Sequence, residues 1–187
     1  MVAKQVCNRF VIRDEMKPIY NDIFNWCIMD YNGVLDPDKG LWLYGNIGTG
    51  KSTLLEIIKR FSSLYRPWML PDGKVIPFSF RISNTIEVCA EYSRAGYEGI
   101  ATFIDSSRQA FDELGSEAIP TGHFGTAENV MQYILQRRYD RRHESITMVT
   151  TNITKDEIMK RYSPRIYDRC KELFNFVEIP GKTFRKL

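Results

Sequence analysis

Apolar and polar positions along the chain predict strands that alternate with helices. The predicted strands are short apolar or β-branched runs, at 41–44, 75–82, a run ending at 111–113, 146–150 and 174–179. The predicted helices have apolar residues at helical spacing, at 16–31, after the loop that follows 41–44, and at 85–96, 97–104, 127–142, 155–161 and 164–172. This alternation predicts a mostly parallel, doubly wound α/β sheet, which binds ligands at the carboxyl ends of its strands.

Composition and charge fit one ordinary globular domain. The 187 residues are 43% hydrophobic and 26% charged, with no linker, repeat or low-complexity tract. The four cysteines lack the close pairs of a zinc site and the density of a disulfide scaffold, which favours a reducing, cytoplasmic location. Because no apolar run approaches the roughly 20 residues of a membrane span, we expect a soluble protein. The net charge is +3, and the positive charge is concentrated towards the C-terminus, where residues 126–187 hold 13 basic and 8 acidic side chains.

A glycine-rich segment carries the strongest chemical signal. Residues 45–52 satisfy the pattern G-x-x-x-x-G-K-[ST] and lie between an apolar strand and a predicted helix. In such a loop the main-chain N–H groups wrap the phosphates, Lys51 reaches the β- and γ-phosphates, and the Ser52 hydroxyl ligates Mg²⁺. The residues expected to bind the nucleotide are Gly45, Asn46, Ile47, Gly48, Thr49, Gly50, Lys51, Ser52 and Thr53.

Hydrolysis needs a carboxylate near the metal and a group that orients the attacking water. Asp112 and Glu113 are the preferred pair, because adjacent residues at a strand end project to opposite sides. Asp112 would face the magnesium ion and Glu113 the water. Asp105, which follows the more apolar run 101–104, is the alternative, and a solvated acidic turn is the alternative without function.

Three further polar residues are predicted near the same sheet edge. Asn152 follows the strand 146–150 and could bridge the γ-phosphate and the water, although Asn at a strand end is commonly a turn former. Arg165 and Arg169 share one face of a helix that begins at Ser163. They could meet a phosphate or pair with the acids nearby.

Four arginines near the end of the predicted helix 127–142 form two i,i+4 rows that could follow a nucleic-acid backbone: Arg137, Arg138, Arg141 and Arg142. The alternative is a solvated surface, because cations are favourable near the C-terminus of a helix.

The order of these motifs resembles the DnaC/IstB-type AAA+ ATPases, the helicase loaders of bacteria and phages and the helper ATPases of transposition. The matching segments are 45–53, 111–117, 129–139, 150–152, 164–169 and 181–185. The resemblance implies a five-stranded AAA+ P-loop fold over 41–187, a helical segment 1–40 packed on it, and a minimal or absent C-terminal lid.

The resemblance also implies roles for individual residues. It implies a Walker A motif at 45–52, a Walker B motif at Asp112 and Glu113, a sensor 1 at Asn152 and an arginine finger at Arg165 that completes a neighbouring subunit's site. It also implies that Asn8, Arg9 and Phe10 contact adenine. Arg169 would be the second arginine of the motif that contains Arg165, and Arg185 would substitute for a sensor 2 arginine.

The predicted function is an ATPase that uses ATP and Mg²⁺, self-associates with ATP, and is stimulated by DNA or a partner. The predicted partners are DNA, preferably single-stranded, and a replicative helicase or a transposase. Two alternatives stay open, a small P-loop kinase and a nucleotide-binding interaction protein that does not hydrolyse ATP. An arginine-rich kinase lid is not evident in the sequence, which favours the ATPase over the kinase.

Overall fold

The computed structural model describes residues 2–181 and 183. In these residues the helices are α1 Val2–Val6, α2 Lys17–Cys27, α3 Lys51–Tyr65, α4 Thr85–Asp105, α5 Val130–Asp140, α6 Lys155–Tyr162 and α7 Pro164–Leu173, with a 3₁₀ turn at Asp14–Met16. The strands are β1 Gly40–Tyr44, β2 Pro67–Met69, β3 Val75–Pro77, β4 Arg81–Asn84, β5 Arg108–Leu114, β6 Thr121–His123, β7 Thr126–Glu128, β8 Ile146–Thr151 and β9 Phe174–Glu178. Among the described helices, none combines the length and the apolar character needed to cross a membrane.

Five strands form one parallel sheet in the order β4-β5-β8-β1-β9. Strand β1 pairs with β8 and β9, and Trp42 lies opposite both Val149 and Phe176. Because all five strands run the same way, the ends of β1, β4, β5 and β8 meet at one edge of the sheet, where the phosphate loop begins. The predicted α/β fold with a parallel sheet is confirmed.

Two apolar layers hold the helices on opposite faces of this sheet. Trp42 packs in the layer under α4, α5 and α7, whereas its neighbours Leu41 and Leu43 pack in the layer under α2 and α3. This alternation follows from the two-residue period of a strand. Trp26 is fully buried in the second layer, and its indole N–H donates to the Lys39 carbonyl at 2.8 Å.

The structure corrects two predicted boundaries. The predicted strand 75–82 divides into β3, which pairs antiparallel with β2 outside the main sheet, and β4, which pairs with β5. The predicted helix 127–142 begins only at Val130, since 126–128 pairs with 121–123 in a hairpin. The predicted division between helices 85–96 and 97–104 is confirmed, since α4 is interrupted at Gly96, whose φ of +61° and ψ of −143° are not helical.

The polar character of β5 has a structural reason. Gln109 is buried, and its side-chain amide donates to the Ser83 hydroxyl at 3.1 Å and to the Ala110 carbonyl at 2.9 Å. A buried amide with partners of this kind is compatible with an interior strand of a sheet. The strand therefore extends over seven residues, although the sequence shows an apolar run of only two before Asp112.

Candidate nucleotide-binding site

The phosphate loop connects the end of β1 to the start of α3 and depends on its glycines. Gly48 and Gly50 have φ values of +80° and +89°, which are strained for any residue with a Cβ. Gly48 also lies under the side chain of Thr183, because a Cβ at this position would be 2.2 Å from the Thr183 hydroxyl oxygen. The loop thus directs its main-chain amides as an anion-binding loop requires, at the N-terminus of a 15-residue helix.

Lys51 lies inside the loop and is almost entirely buried. Its ammonium donates to the carbonyls of Gly45 and Asn46 at 2.8 and 2.7 Å. Burial lowers the pKa of Lys51 below its ordinary value, and the carboxylates of Asp112 and Glu113 act against that shift. A buried cation held beside main-chain amides is suited to a charged phosphate chain.

Ser52, in the first turn of α3, meets Asp112, near the end of β5. The Ser52 hydroxyl donates to Asp112 Oδ1 at 2.9 Å, and the Thr150 hydroxyl donates to the same oxygen. The main-chain N–H of Glu113 donates to the Thr150 hydroxyl at 2.9 Å. Thr150, to which the sequence analysis gave no role of its own, therefore joins the two acidic residues to β8.

Glu113 has a main-chain conformation that is rare for a residue with a side chain. Its φ is +60°, at a point where the register between β5 and β8 shifts. Its carbonyl accepts from the Thr85 hydroxyl at 2.9 Å, and its carboxylate accepts from the Asn84 side-chain amide at 3.0 Å. Such strain costs about 1–3 kcal/mol and persists where surrounding contacts fix it, often at functional sites.

Asn84 is a second residue that the sequence analysis missed. It ends β4, caps α4 by accepting from the Ile86 N–H at 2.9 Å, and holds the Glu113 carboxylate with its amide. The sequence signal was an Asn before a predicted helix, which indicates a cap but does not reveal contact with an acid 29 positions later.

A cavity of about 440 Å³ opens beside the phosphate loop. It brings together loop residues, the acidic strand end and the segment that precedes α2, namely Cys7, Arg9, Phe10, Val11, Tyr20, Ile47, Gly48, Thr49, Gly50, Lys51, Ser52, Thr53, Glu113, Thr150 and Asn152. Arg9 and Phe10 thus line the cavity, while Asn8 does not. The rings of Phe10 and Tyr20 lie 5.7 Å apart and give one end an aromatic wall suited to a flat base.

The alternative acid, Asp105, lies elsewhere. The run 101–104 belongs to α4 rather than to a strand, and the exposed Asp105 side chain pairs with Arg141 at 2.8 Å. Asp112 is the acid beside Ser52.

The two predicted arginines of α7 have different surroundings. Arg165 is exposed in the first turn of the helix, after Ser163 caps it. Arg169 stacks within the same chain on the Tyr139 ring, with 4.7 Å from its guanidinium carbon to the ring centroid. Arg185 lies outside the described residues.

The predicted nucleic-acid contact by Arg138 is wrong, because its side chain is completely buried. The guanidinium donates to the carbonyls of Phe103, Ile104, Ser106 and Ile146 and to the Thr147 hydroxyl. The other three members of the rows have an acidic or aromatic neighbour: Arg137 with Asp140, Arg141 with Asp105 and Glu144, and Arg142 with Glu172 and the Tyr139 ring. A contact of these three with DNA stays a prediction.

We expect Arg138→Ala to lower the free energy of unfolding by about 3–5 kcal/mol, because several buried acceptors lose their donor at once. The matched control is Arg137→Ala on the same helix, whose exposed side chain should contribute less than about 0.5 kcal/mol. Urea unfolding of both variants measures the difference. Equal stabilities would contradict the assigned structural role of Arg138.

The side-chain oxygens at this site suit a magnesium ion that also binds phosphates. Ser52 and Asp112 supply hard oxygen ligands on adjoining elements. Within residues 2–181 and 183, no group of three or more His, Cys, Asp or Glu side chains could hold a metal ion by itself. This fits an ion that takes one or two protein ligands and completes its shell with phosphate and water.

Solved structures share this fold. A primosome component from Streptococcus pyogenes serotype M3 matches with a TM-score of 0.65 and 20% identity, over 94% of this chain and 85% of that one. The DnaC helicase loader matches with a TM-score of 0.65 and 15% identity, over 94% and 96%. Replication initiator DnaA, bound to AMPPCP and single-stranded DNA, matches with a TM-score of 0.62 and 13% identity, over 94% and 49%.

No protein-family model and no curated protein matches the chain. The likeness to these solved structures therefore concerns the fold, a five-stranded parallel sheet flanked by helices.

Proposed function

We propose that the protein binds ATP with Mg²⁺ and hydrolyses it as an AAA+ ATPase that assembles with ATP and acts on a DNA-bound partner. The observation that carries the proposal is the convergence of Lys51, Ser52 and Glu113 at one cavity beside the phosphate loop, with Asp112 held by the Ser52 hydroxyl. The likeness to a helicase loader and to DnaA bound to AMPPCP and single-stranded DNA supports the choice of nucleotide and of a replication role.

Each group would have a separate task. The loop amides and Lys51 would bind the phosphate chain, and Ser52 and Asp112 would hold Mg²⁺, which supplies charge neutralisation at the β- and γ-phosphates when bound. Glu113, held by Asn84, would accept a proton from the attacking water, and Asn152 would orient that water. Arg9, Phe10 and Tyr20 would enclose the base.

Arg165 would act on the nucleotide of a neighbouring subunit. It is exposed at the start of a helix and does not line the cavity of its own chain. An arginine in this arrangement can stabilise transition-state charge across an interface. This division of the site explains why hydrolysis would depend on assembly.

The partner we favour is a replicative helicase on single-stranded DNA, since the fold matches a helicase loader over most of both chains. A transposase is the second candidate, from the sequence resemblance. DNA is expected to stimulate hydrolysis by favouring the assembled state.

The test is phosphate release from ATP without any phosphoryl acceptor, measured with and without single-stranded DNA. We expect release by the parent protein, stimulated by DNA. A kinase would need an acceptor, and a non-hydrolysing binding protein would release no phosphate under either condition.

Lys51→Ala tests the role of the phosphate loop in ATP binding. We expect ATP affinity to fall by about tenfold or more, because the loop amides alone do not compensate the charge of the β- and γ-phosphates. Calorimetric titration with ATP measures the affinity, and thermal unfolding verifies that the variant is folded. Unchanged affinity in a folded variant would exclude the loop from nucleotide binding.

A further inference from the structure

Glu117 is a buried carboxylate that lies outside the cavity. The residue is 3% exposed, although glutamate is almost never buried without partners. Tyr162 donates its hydroxyl to Oε1, and the main-chain N–H of Gly115 donates to Oε2 at 2.9 Å. Arg161 donates to the Glu117 carbonyl at 2.8 Å, and its guanidinium is 4.0 Å from Oε1. The carboxylate is thus well paired.

Gly115, which donates to the Glu117 carboxylate, belongs to the turn that carries Glu113. Gly115 has a φ of +100°, and the Ser116 N–H donates to the Glu113 carbonyl at 3.0 Å to close the turn. A Cβ at Gly115 would be 2.8 Å from Ile153, which follows Asn152. The turn therefore fits tightly against the end of β8. The bond from Gly115 to Glu117 is one more contact that fixes its shape.

Tyr162, which also donates to the Glu117 carboxylate, belongs to the segment that carries Arg165. Tyr162 is the last residue of α6 and is fully buried. Ser163, with a φ of +83°, follows as the cap of both α6 and α7, and Arg165 is the second residue of α7. Burial, with the adjacent Glu117 carboxylate, raises the pKa of Tyr162, so its hydroxyl stays a donor. Only Ser163 and Pro164 lie between Tyr162 and Arg165.

We propose that Glu117 is a positioning residue whose carboxylate ties the start of the Arg165 helix to the turn that carries Glu113. Through this link, the subunit's own acidic turn sets the orientation of the arginine offered to its neighbour. The inference rests on the proposed function, since it assigns a task to a finger acting between subunits. An apolar residue would fill the space equally well, but it could not bond to Gly115 and Tyr162 together.

The test uses mixed subunits, in which one variant supplies the site and the other supplies the finger. Arg165→Ala subunits keep an intact phosphate loop, and Lys51→Ala subunits keep an intact Arg165. We expect the addition of Tyr162→Phe to the Lys51→Ala subunit to lower the rate of the mixture about tenfold or more, because a displacement near 1 Å can cost 10²-fold. The KM for ATP should not change, because the nucleotide is bound by the other subunit.

The control removes a similar bond remote from the site. Tyr97 donates to Glu128 at 2.7 Å on the surface, so Tyr97→Phe in the Lys51→Ala subunit should leave the rate unchanged. Glu117→Gln in that subunit should retain most of the rate, because an amide can accept from Gly115 and donate to the Tyr162 oxygen. If the negative charge of Glu117 served only the stability of the fold, the neutral side chain of Glu117→Gln would not retain the rate of the mixture.

Folding is checked by thermal unfolding and co-assembly by light scattering. If Tyr162→Phe does not fold, Glu117→Gln combined with Tyr162→Phe breaks the same link without an unpaired buried charge. An undiminished rate with the broken link overturns the inference and leaves the proposed function intact. A parent protein that releases no phosphate overturns the proposed function, and the inference with it.

Discussion

Glu113→Gln is expected to lower ATP hydrolysis by about 10²-fold or more while ATP binding persists. The substitution keeps the size of the side chain, and its amide can still bond to Asn84, but it removes the group that would accept a proton from water. Phosphate release at saturating ATP measures the rate, and calorimetric titration measures the affinity. A loss in rate at constant affinity is the signature of an interaction made in the transition state.

Variants of two other acids distinguish magnesium binding from the activation of water. Asp112→Asn should weaken magnesium-dependent ATP binding as well as hydrolysis, because Asp112 lies beside Ser52. Asp105→Asn is the control, since Asp105 is exposed and pairs with Arg141 at the end of α4. Normal hydrolysis by the Glu113 and Asp112 variants, with loss in the Asp105 variant, would contradict the assignment of the acids.

The phosphate loop and the sheet could be predicted from sequence because their signals are local. Residues 45–52 combine a spacing, a preceding apolar strand and a following helix, and each part follows from chain geometry. The interruption of α4 was also visible, since Gly96 ends one run of helical spacing before the next begins. Parallel strand order then places the strand ends together.

The residues missed are those whose task depends on contacts distant in sequence. Asn84 reads as a helix cap, and its bond to Glu113 exists only after β4 pairs with β5. The sequence places Arg138 in a basic row, but its side chain is buried and donates to five acceptors. Charge spacing on a helix indicates which residues share a face but does not reveal whether that face is solvated.

The hairpin 121–128 escaped prediction for a related reason. Its strands have three residues each, and its turn at Phe124 and Gly125 has φ values of +40° and +83°. Elements this short have no periodicity to detect, so the predicted helix 127–142 took in the end of β7. This moved the predicted start of α5 back by three residues.

Arg165→Ala is expected to lower hydrolysis by about 10³-fold while ATP affinity stays near that of the parent, because an arginine finger stabilises transition-state charge. The side chain is exposed, so its removal should not lower thermal stability. Arg94→Ala is the matched control, since Arg94 is also exposed and pairs with Glu91 on α4. A fall in thermal stability with Arg165→Ala, and an unchanged rate, would indicate a structural arginine instead.

Mixing tests whether the site is shared between subunits. Arg165→Ala subunits retain the phosphate loop and Glu113, while Lys51→Ala subunits retain Arg165, so some mixed interfaces combine one intact half from each. Activity should therefore return in part when two inactive preparations are combined, whereas a self-contained site gives none. If light scattering shows co-assembly and the mixture stays inactive, Arg165 does not act across an interface, and an enzyme complete within one chain becomes the better description.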